Sequence, residues 1–247
     1  MIRLDQVAVD ADGTPVLPRP ASFVVQPGRL LGISGTSGVG KTLLLRLLAG
    51  EAQPDRGAAE GVPAAGEVVW IPQDNQLAAT LTALENVAVP LVATGASGTD
   101  ARDRAHDALE AVGLAEATHQ LVEELSGGQQ QRVAIARALA HPATYLLADE
   151  PTSALDAGNR RRMLQLLHDQ ARAGRAVVIT TNDPESLEGI ADEIVILAFG
   201  LILGSAAVAA AIAFGVGGRE PARRLLEEAR DRARRDGPPP PDAPLVG

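Results

Sequence analysis

Apolar residues follow two rhythms along this chain. Short apolar or alternating runs, closed by Gly, Pro or Asp, predict strands over residues 2–9, 22–25, 30–34, 67–71, 145–150 and 177–180. Between them the spacing changes to that of helices. A run of leucines over residues 43–49 predicts one, and Thr82-Ala83-Leu84-Glu85 opens a second that runs towards Pro90. Asp100 is placed to cap a third, with Ala101, Ala105, Ala108, Leu109 and Val112 on one face and Gly113 as its stop. Ser126 and Gln129, again at capping-box spacing, open a fourth that carries Val133, Ala136 and Ala140 and ends at His141-Pro142.

Turn formers punctuate this pattern. Residues 10–20 are turn-rich between two edge strands, and residues 94–98 form a Gly/Ser-containing loop. Trp70 falls inside an apolar strand and is assigned to the core. Arg102, Asp103, Arg104 and Asp107 make a solvated face on a helical insert between strands.

Composition narrows the class. A chain of 247 residues with 46% hydrophobic residues can bury the core of one large α/β domain with a subdomain. Its net charge of −9 disfavours a nucleic-acid partner, and zero cysteines exclude disulfides and thiolate metal sites. The polar start Met-Ile-Arg-Leu-Asp-Gln-Val does not read as a signal peptide, so a cytoplasmic location is expected.

The chemistry centres on Gly-Thr-Ser-Gly-Val-Gly-Lys-Thr at residues 35–42, which fits G-x-x-x-x-G-K-[ST] between a strand and a helix. Gly35, Gly38 and Gly40 let successive main-chain N–H groups, from Ser37 onward, wrap phosphate oxygens. Lys41 reaches the terminal phosphates, and the Thr42 hydroxyl is free for Mg²⁺. The helix start at Leu-Ser-Gly-Gly-Gln, residues 125–129, is a second anion site, and residues 145–150 deliver Asp149 and Glu150 at the C-terminal end of a strand, where open parallel sheets bind ligands.

The phosphate loop, Gln73, Leu-Ser-Gly-Gly-Gln, Leu-Leu-Ala-Asp-Glu-Pro-Thr-Ser and Ala-Leu-Asp, in that order, resemble an ATP-binding cassette (ABC) ATPase over residues 1–205. Residues 81–87, 110–114 and 125–140 are most similar to the cassettes that serve lipoprotein-releasing and macrolide-export permeases. The resemblance implies a P-loop core with a mostly parallel sheet, an N-terminal antiparallel β subdomain and a helical subdomain over about 74–140. It implies ATP and Mg²⁺ as ligands, with Thr42 and Gln73 near the metal, Asp149 orienting it through water and Glu150 polarising the attacking water. Ser126, Gly127 and Gly128 would close over ATP bound to a second cassette, head to tail, and Asp156 would lie on the loop that crosses the dimer interface. Transport work would need a separate membrane permease, with the cassette peripheral on its cytoplasmic side.

Three departures from the family pattern change the expectation. Asn182 stands where the family has a switch histidine; it can donate to a γ-phosphate oxygen but carries neither proton nor charge, so hydrolysis should be slowed while binding survives. Asp10-Ala11-Asp12-Gly13 lacks the aromatic ring that the family stacks on adenine. Residues 51–66 read as too short and turn-rich for the usual strands, which suggests a trimmed β subdomain. A regulatory cassette that does not hydrolyse ATP, one half of a heterodimer, is the main alternative. A soluble cassette of DNA maintenance or translation is disfavoured, since the chain lacks a long coiled coil, zinc-binding cysteines and a second cassette.

Residues 194–217 carry no charge and are long enough to span a bilayer, but Gly200 and Gly204 divide them into two strands and a helix that complete the cassette at residue 217. A span would also put Arg219, Arg223 and Arg224 on the far side, against the positive-inside tendency. A charged helix is expected over 218–236 and a Pro-rich disordered tail over 237–247.

Overall fold

The computed structural model describes residues 1–11, 14–64 and 66–197. Strands β1 (Ile2–Ala8), β2 (Asp10–Ala11), β3 (Thr14–Pro15), β4 (Ala21–Val25) and β5 (Leu30–Gly35) lead into helix α1 (Lys41–Leu48). Then come β6 (Arg56–Glu60), β7 (Val68–Ile71), α2 (Ala83–Ala93), α3 (Gly98–Ala111), α4 (Gly127–Ala140), β8 (Tyr145–Asp149), α5 (Ala157–Arg172), β9 (Ala176–Thr181) and β10 (Glu193–Leu197).

Among the described residues, β10-β5-β9-β8-β7 form a parallel five-stranded sheet in that order, and β4-β1-β6 form an antiparallel one. The central strands read as unbroken apolar runs because both faces of the parallel sheet are covered. Leu31, Ile33, Leu147 and Val178 point into a core shared with Ile2, Leu4, Phe23 and the α1 leucines. Their neighbours Leu30, Leu146, Ala148, Val177 and Ile179 point into a core shared with α2 to α5. Trp70 packs partly buried against the first of these cores, as expected. On α1, Leu44, Leu45, Leu47 and Leu48 are all buried, each stabilising the helix position by about 1.5–3 kcal/mol relative to exposure. That burial fixes the helix whose first residue is Lys41.

Four local expectations are corrected. Residues 51–66 are not trimmed of strand: β6 pairs antiparallel with β1, Leu4 facing Ala59. Its Arg-Gly-Ala-Ala-Glu sequence is mostly exposed, so no apolar alternation marks it; the pairing rests on main-chain hydrogen bonds, with a bulge between Asp5 and Ala8. The turn-rich patch holds a small hairpin, β2 against β3. Helix α2 runs through Pro90 to Ala93, since a proline there removes one N–H without breaking the flanking bonds; Thr94 closes the helix on the carbonyls of Pro90 and Leu91. The cap of α3 is Ser97, whose Oγ accepts from the Asp100 N–H at 3.1 Å; Asp100 is the third helical residue. The capping boxes Thr82/Glu85 and Ser126/Gln129 are both formed.

β10 supplies the first of the two closing strands expected after residue 193. The remaining completion to residue 217, the helix over 218–236 and the tail over 237–247 lie outside the described residues, as do Asp12 and Gly13. No helix among the described residues is long and apolar enough to cross a membrane.

Candidate functional site

The parallel sheet brings the candidate residues together at one edge. Strand β9 lies between β5 and β8, with Ser34 opposite Thr181 and Thr180 opposite Asp149. The chain therefore leaves β5 into the phosphate loop, β9 into Asn182 and β8 into Glu150 from adjacent C-terminal ends. β7 ends level with β8, Ile71 opposite Ala148, and delivers Gln73 beside them.

The glycines of the loop answer to specific constraints. Gly40, the cap of α1, has φ +96°, and a Cβ there would sit 2.6 Å from Leu17 Cδ2. A Cβ on Gly35 would come within 2.9 Å of the Leu197 carbonyl oxygen. Ser37, Gly38, Gly40, Lys41, Thr42, Leu43, Arg46, Gln73 and Glu150 line a cavity of about 330 Å³. That is room for a polyphosphate group, with main-chain N–H groups at a helix start as its floor.

Lys41 is 5% exposed and spends its three donors on Gly35 O at 2.9 Å, Thr36 O at 3.2 Å and Asn182 Oδ1 at 2.6 Å. Its Nζ is also 3.4 Å from Glu150 Oε1. The Asn182 amide nitrogen donates to that same Oε1 at 2.6 Å. One neutral carboxamide thus bridges the cation and the carboxylate, oxygen to lysine and nitrogen to glutamate. Glu150 itself has φ +48°, a left-handed backbone that costs a non-glycine residue about 1–3 kcal/mol.

Asp149 is 3% exposed and accepts from Thr42 Oγ1 at 2.6 Å and Thr180 Oγ1 at 2.5 Å. Hydroxyl, carboxylate and carboxamide oxygens on Thr42, Asp149 and Gln73 are hard donors suited to Mg²⁺. Among the described residues no cluster of three His, Asp or Glu side chains surrounds a point. A donor set this sparse fits a cation that arrives with its remaining oxygens on phosphates and water.

Ser126, Gly127, Gly128 and Asp156 do not line this cavity. Ser126 and Gly127 are exposed at the start of α4. Asp156 caps α5, accepting from the Asn159 N–H at 2.9 Å and Asn159 Nδ2 at 2.7 Å, and these bonds hold its carboxyl below the usual range. The sequence reading missed three residues that serve the site. Thr180 fixes Asp149; Gln131 holds the loop after Glu150; Arg137 donates to Asn75 O at 2.7 Å and Gln76 O at 2.8 Å, behind Gln73. Asn75 and Gln76 both have positive φ, and burial of Arg137 lowers its pKa. The signal for Gln131 and Arg137 was their place on the helix that starts at Ser126.

Residues 19–153 match the family described as ABC transporter. A protein of Brucella abortus (strain 2308) named Fe(3+) ions import ATP-binding protein FbpC is 42% identical over 185 residues, 71% of this chain and 52% of its own length. The methionine import ATP-binding protein MetN of Rhizobium etli is 38% identical over 217 residues, 82% of this chain and 60% of its own. The chain thus spans about half the length of the curated relatives it matches. Among solved structures, the dimeric MJ0796, a bacterial ABC transporter cassette, aligns with TM-score 0.72 and 31% identity over 81% of this chain and 95% of that one. A post-hydrolysis dimer of MJ0796 bound to ADP and Pi aligns with TM-score 0.71 and 30% identity, again over 81% of this chain and 95% of that one. The relatives carry import names, which corrects the expected kinship with lipoprotein-releasing and macrolide-export cassettes. That expectation rested on short stretches of helix sequence, whose alanine and leucine positions answer to packing rather than to cargo.

Proposed function

Since this chain belongs to the ABC transporter family, we propose that it binds MgATP and hydrolyses it to drive a separate membrane permease, slowly because Asn182 stands at the switch position. The observation that carries this reading is the meeting of Lys41, Asn182 and Glu150 beside the phosphate-loop cavity. Phosphoryl transfer to water needs positioning and charge stabilisation more than covalent help. Main-chain N–H groups from Ser37 to Thr42 and the Lys41 ammonium hold phosphate oxygens. Glu150 orients the water whose oxygen bonds to the γ-phosphorus as the bond to the ADP oxygen breaks, and the water's proton leaves with the phosphate. Bound Mg²⁺ would neutralise charge between the phosphates, with Thr42 and Gln73 as its protein contacts and Asp149 acting through water.

Exposed Ser126 and Gly127 and half-buried Gly128, all away from their own cavity, serve the nucleotide of a second cassette, with Asp156 on the crossing loop. The working unit is a head-to-tail dimer, peripheral on the cytoplasmic face of a membrane. The names of the relatives favour import over export. A neutral carboxamide at residue 182 also favours a second reading, a regulatory half-site that binds ATP without turnover.

Mg²⁺-dependent phosphate release by the purified chain, measured across protein concentration with Glu150→Gln as control, tests the proposal. Turnover that rises faster than linearly with protein and vanishes in the control supports the dimeric ATPase. ATP binding without turnover supports the regulatory half-site.

A further inference from the structure

Glu150 sits in a left-handed backbone conformation, and such a conformation persists only where neighbours hold it. On its amide side, the Glu150 N–H donates to Thr180 of β9, to Oγ1 at 3.1 Å and to the carbonyl oxygen at 3.2 Å. On its carbonyl side, the holder is Gln131 of α4. Its Nε2 donates to Glu150 O at 3.3 Å and to Ser153 Oγ at 3.2 Å, while its Oε1 accepts from the Ala154 N–H at 2.9 Å.

Gln131 is 2% exposed, and its amide oxygen and both amide hydrogens are spent on this one loop. A buried carboxamide so committed specifies a geometry, because a loop that shifted would leave its polar atoms buried and unpaired. The fit is close at the start of α4 as well. A Cβ on Gly128 would sit 3.2 Å from the Ala154 carbonyl oxygen, so this glycine lets the helix lie against the loop. Gly127, with nothing within 4 Å, has no such duty inside the chain.

We propose that Gln131 is a positioning residue for ATP hydrolysis, holding Glu150 through its main chain and tying the aim of that carboxylate to the helix that begins at Ser126. The inference rests on the assignment of Glu150 to the attacking water. Movement of the α4 start, where a second cassette would touch, is then transmitted to Glu150 through one buried side chain, without any change at the phosphate loop.

The test is Gln131→Met in the full chain, read by phosphate release and by equilibrium binding of trinitrophenyl-ATP. Turnover should fall on the order of 10- to 100-fold, the cost of slight misplacement of a reacting group. Affinity for trinitrophenyl-ATP should stay within about twofold, since the phosphate loop is untouched. Gln131→Glu keeps the acceptor for Ala154 and removes the donors to Glu150 and Ser153; it carries the same expectation if Gln131→Met does not fold. Wild-type turnover in a folded Gln131 variant, or a loss that tracks loss of nucleotide affinity, overturns the inference alone. Wild-type turnover in Glu150→Gln, or no turnover in the wild type, overturns the assignment of Glu150 and the inference with it.

Discussion

The side-chain nitrogen of Asn182 lies 2.6 Å from Oε1 of Glu150, and its oxygen lies equally close, at 2.6 Å, to Nζ of Lys41. This pairing fixes which way the carboxamide faces. An imidazolium in the same place could present a charge and a transferable proton to the reacting phosphate; this amide commits one N–H to a carboxylate and offers the other without charge or a proton it can give up. Asn182→His should therefore raise turnover by about tenfold or more, within the contribution of a positioned proton-transferring group, with ATP affinity little changed. Steady-state phosphate release and nucleotide titration of the two proteins check this, and equal turnover in an active preparation refutes it.

Thr180 is fully buried, and its hydroxyl gives Asp149, 3% exposed, one of its two hydroxyl hydrogen bonds. Thr180→Val preserves shape and removes that donor, leaving a buried carboxylate oxygen short of a partner at about 1–3 kcal/mol. Urea denaturation should show this loss. A variant as stable as the parent would mean that the Thr42 hydroxyl alone satisfies Asp149.

Most of the site was legible because its residues follow strands with unambiguous apolar signals. Leu30 to Ser34 and Tyr145 to Ala148 are buried without a break, so the positions of the phosphate loop and of Glu150 followed from the sequence. The order of strands did not follow. That β9 lies between β5 and β8, and so places Asn182 between Lys41 and Glu150, is a tertiary fact. The α3 cap was misplaced because Asp100 and Ser97 are both good caps, and the Asp100 side chain is better placed facing the helix N-terminus from the first turn. β6 was missed because it contributes main-chain pairing and one half-buried alanine rather than an apolar stripe.

Gly57 tests that strand. It has φ +86°, and an added Cβ would stand 2.3 Å from the Gln6 carbonyl oxygen, at the bulge where β6 meets β1. The Asp5 carbonyl oxygen would lie 2.5 Å away as well, and both are main-chain atoms rather than flexible side-chain ends. Gly57→Ala should cost about 2 kcal/mol or more, combining a disallowed turn with main-chain overlap. Denaturant melts compared with Gly28→Ala, where φ is +82° but nothing lies within 4 Å, separate the overlap from the backbone strain.

Without an aromatic ring over residues 10–13, base recognition should be weak. Stacking on a base contributes about 1–3 kcal/mol, and its absence predicts Kd values for ATP and GTP within about tenfold of each other. Parallel titrations of the two nucleotides check this; sub-micromolar affinity for ATP alone would refute it.

His141 ends α4 beside two arginines. Arg104 and Arg175 both donate to the last carbonyls of that helix, Arg104 to Ala140 O and Arg175 to Ala138 O and His141 O. Burial first, then Arg175 and Arg104, lower the pKa of His141 below its ordinary 6.5. The folded chain therefore resists a proton that the unfolded chain accepts. The resulting contribution to stability is complete above about pH 6.5 and is lost as pH falls from there towards the lowered folded value. His141→Asn keeps an acceptor for the Ala143 N–H, which Nδ1 serves at 3.2 Å, and removes the titration. Thermal melts should show the parent losing more Tm than His141→Asn between about pH 7.5 and about pH 5.5. Equal losses would mean that the imidazole finds water in the folded chain and protonates without penalty.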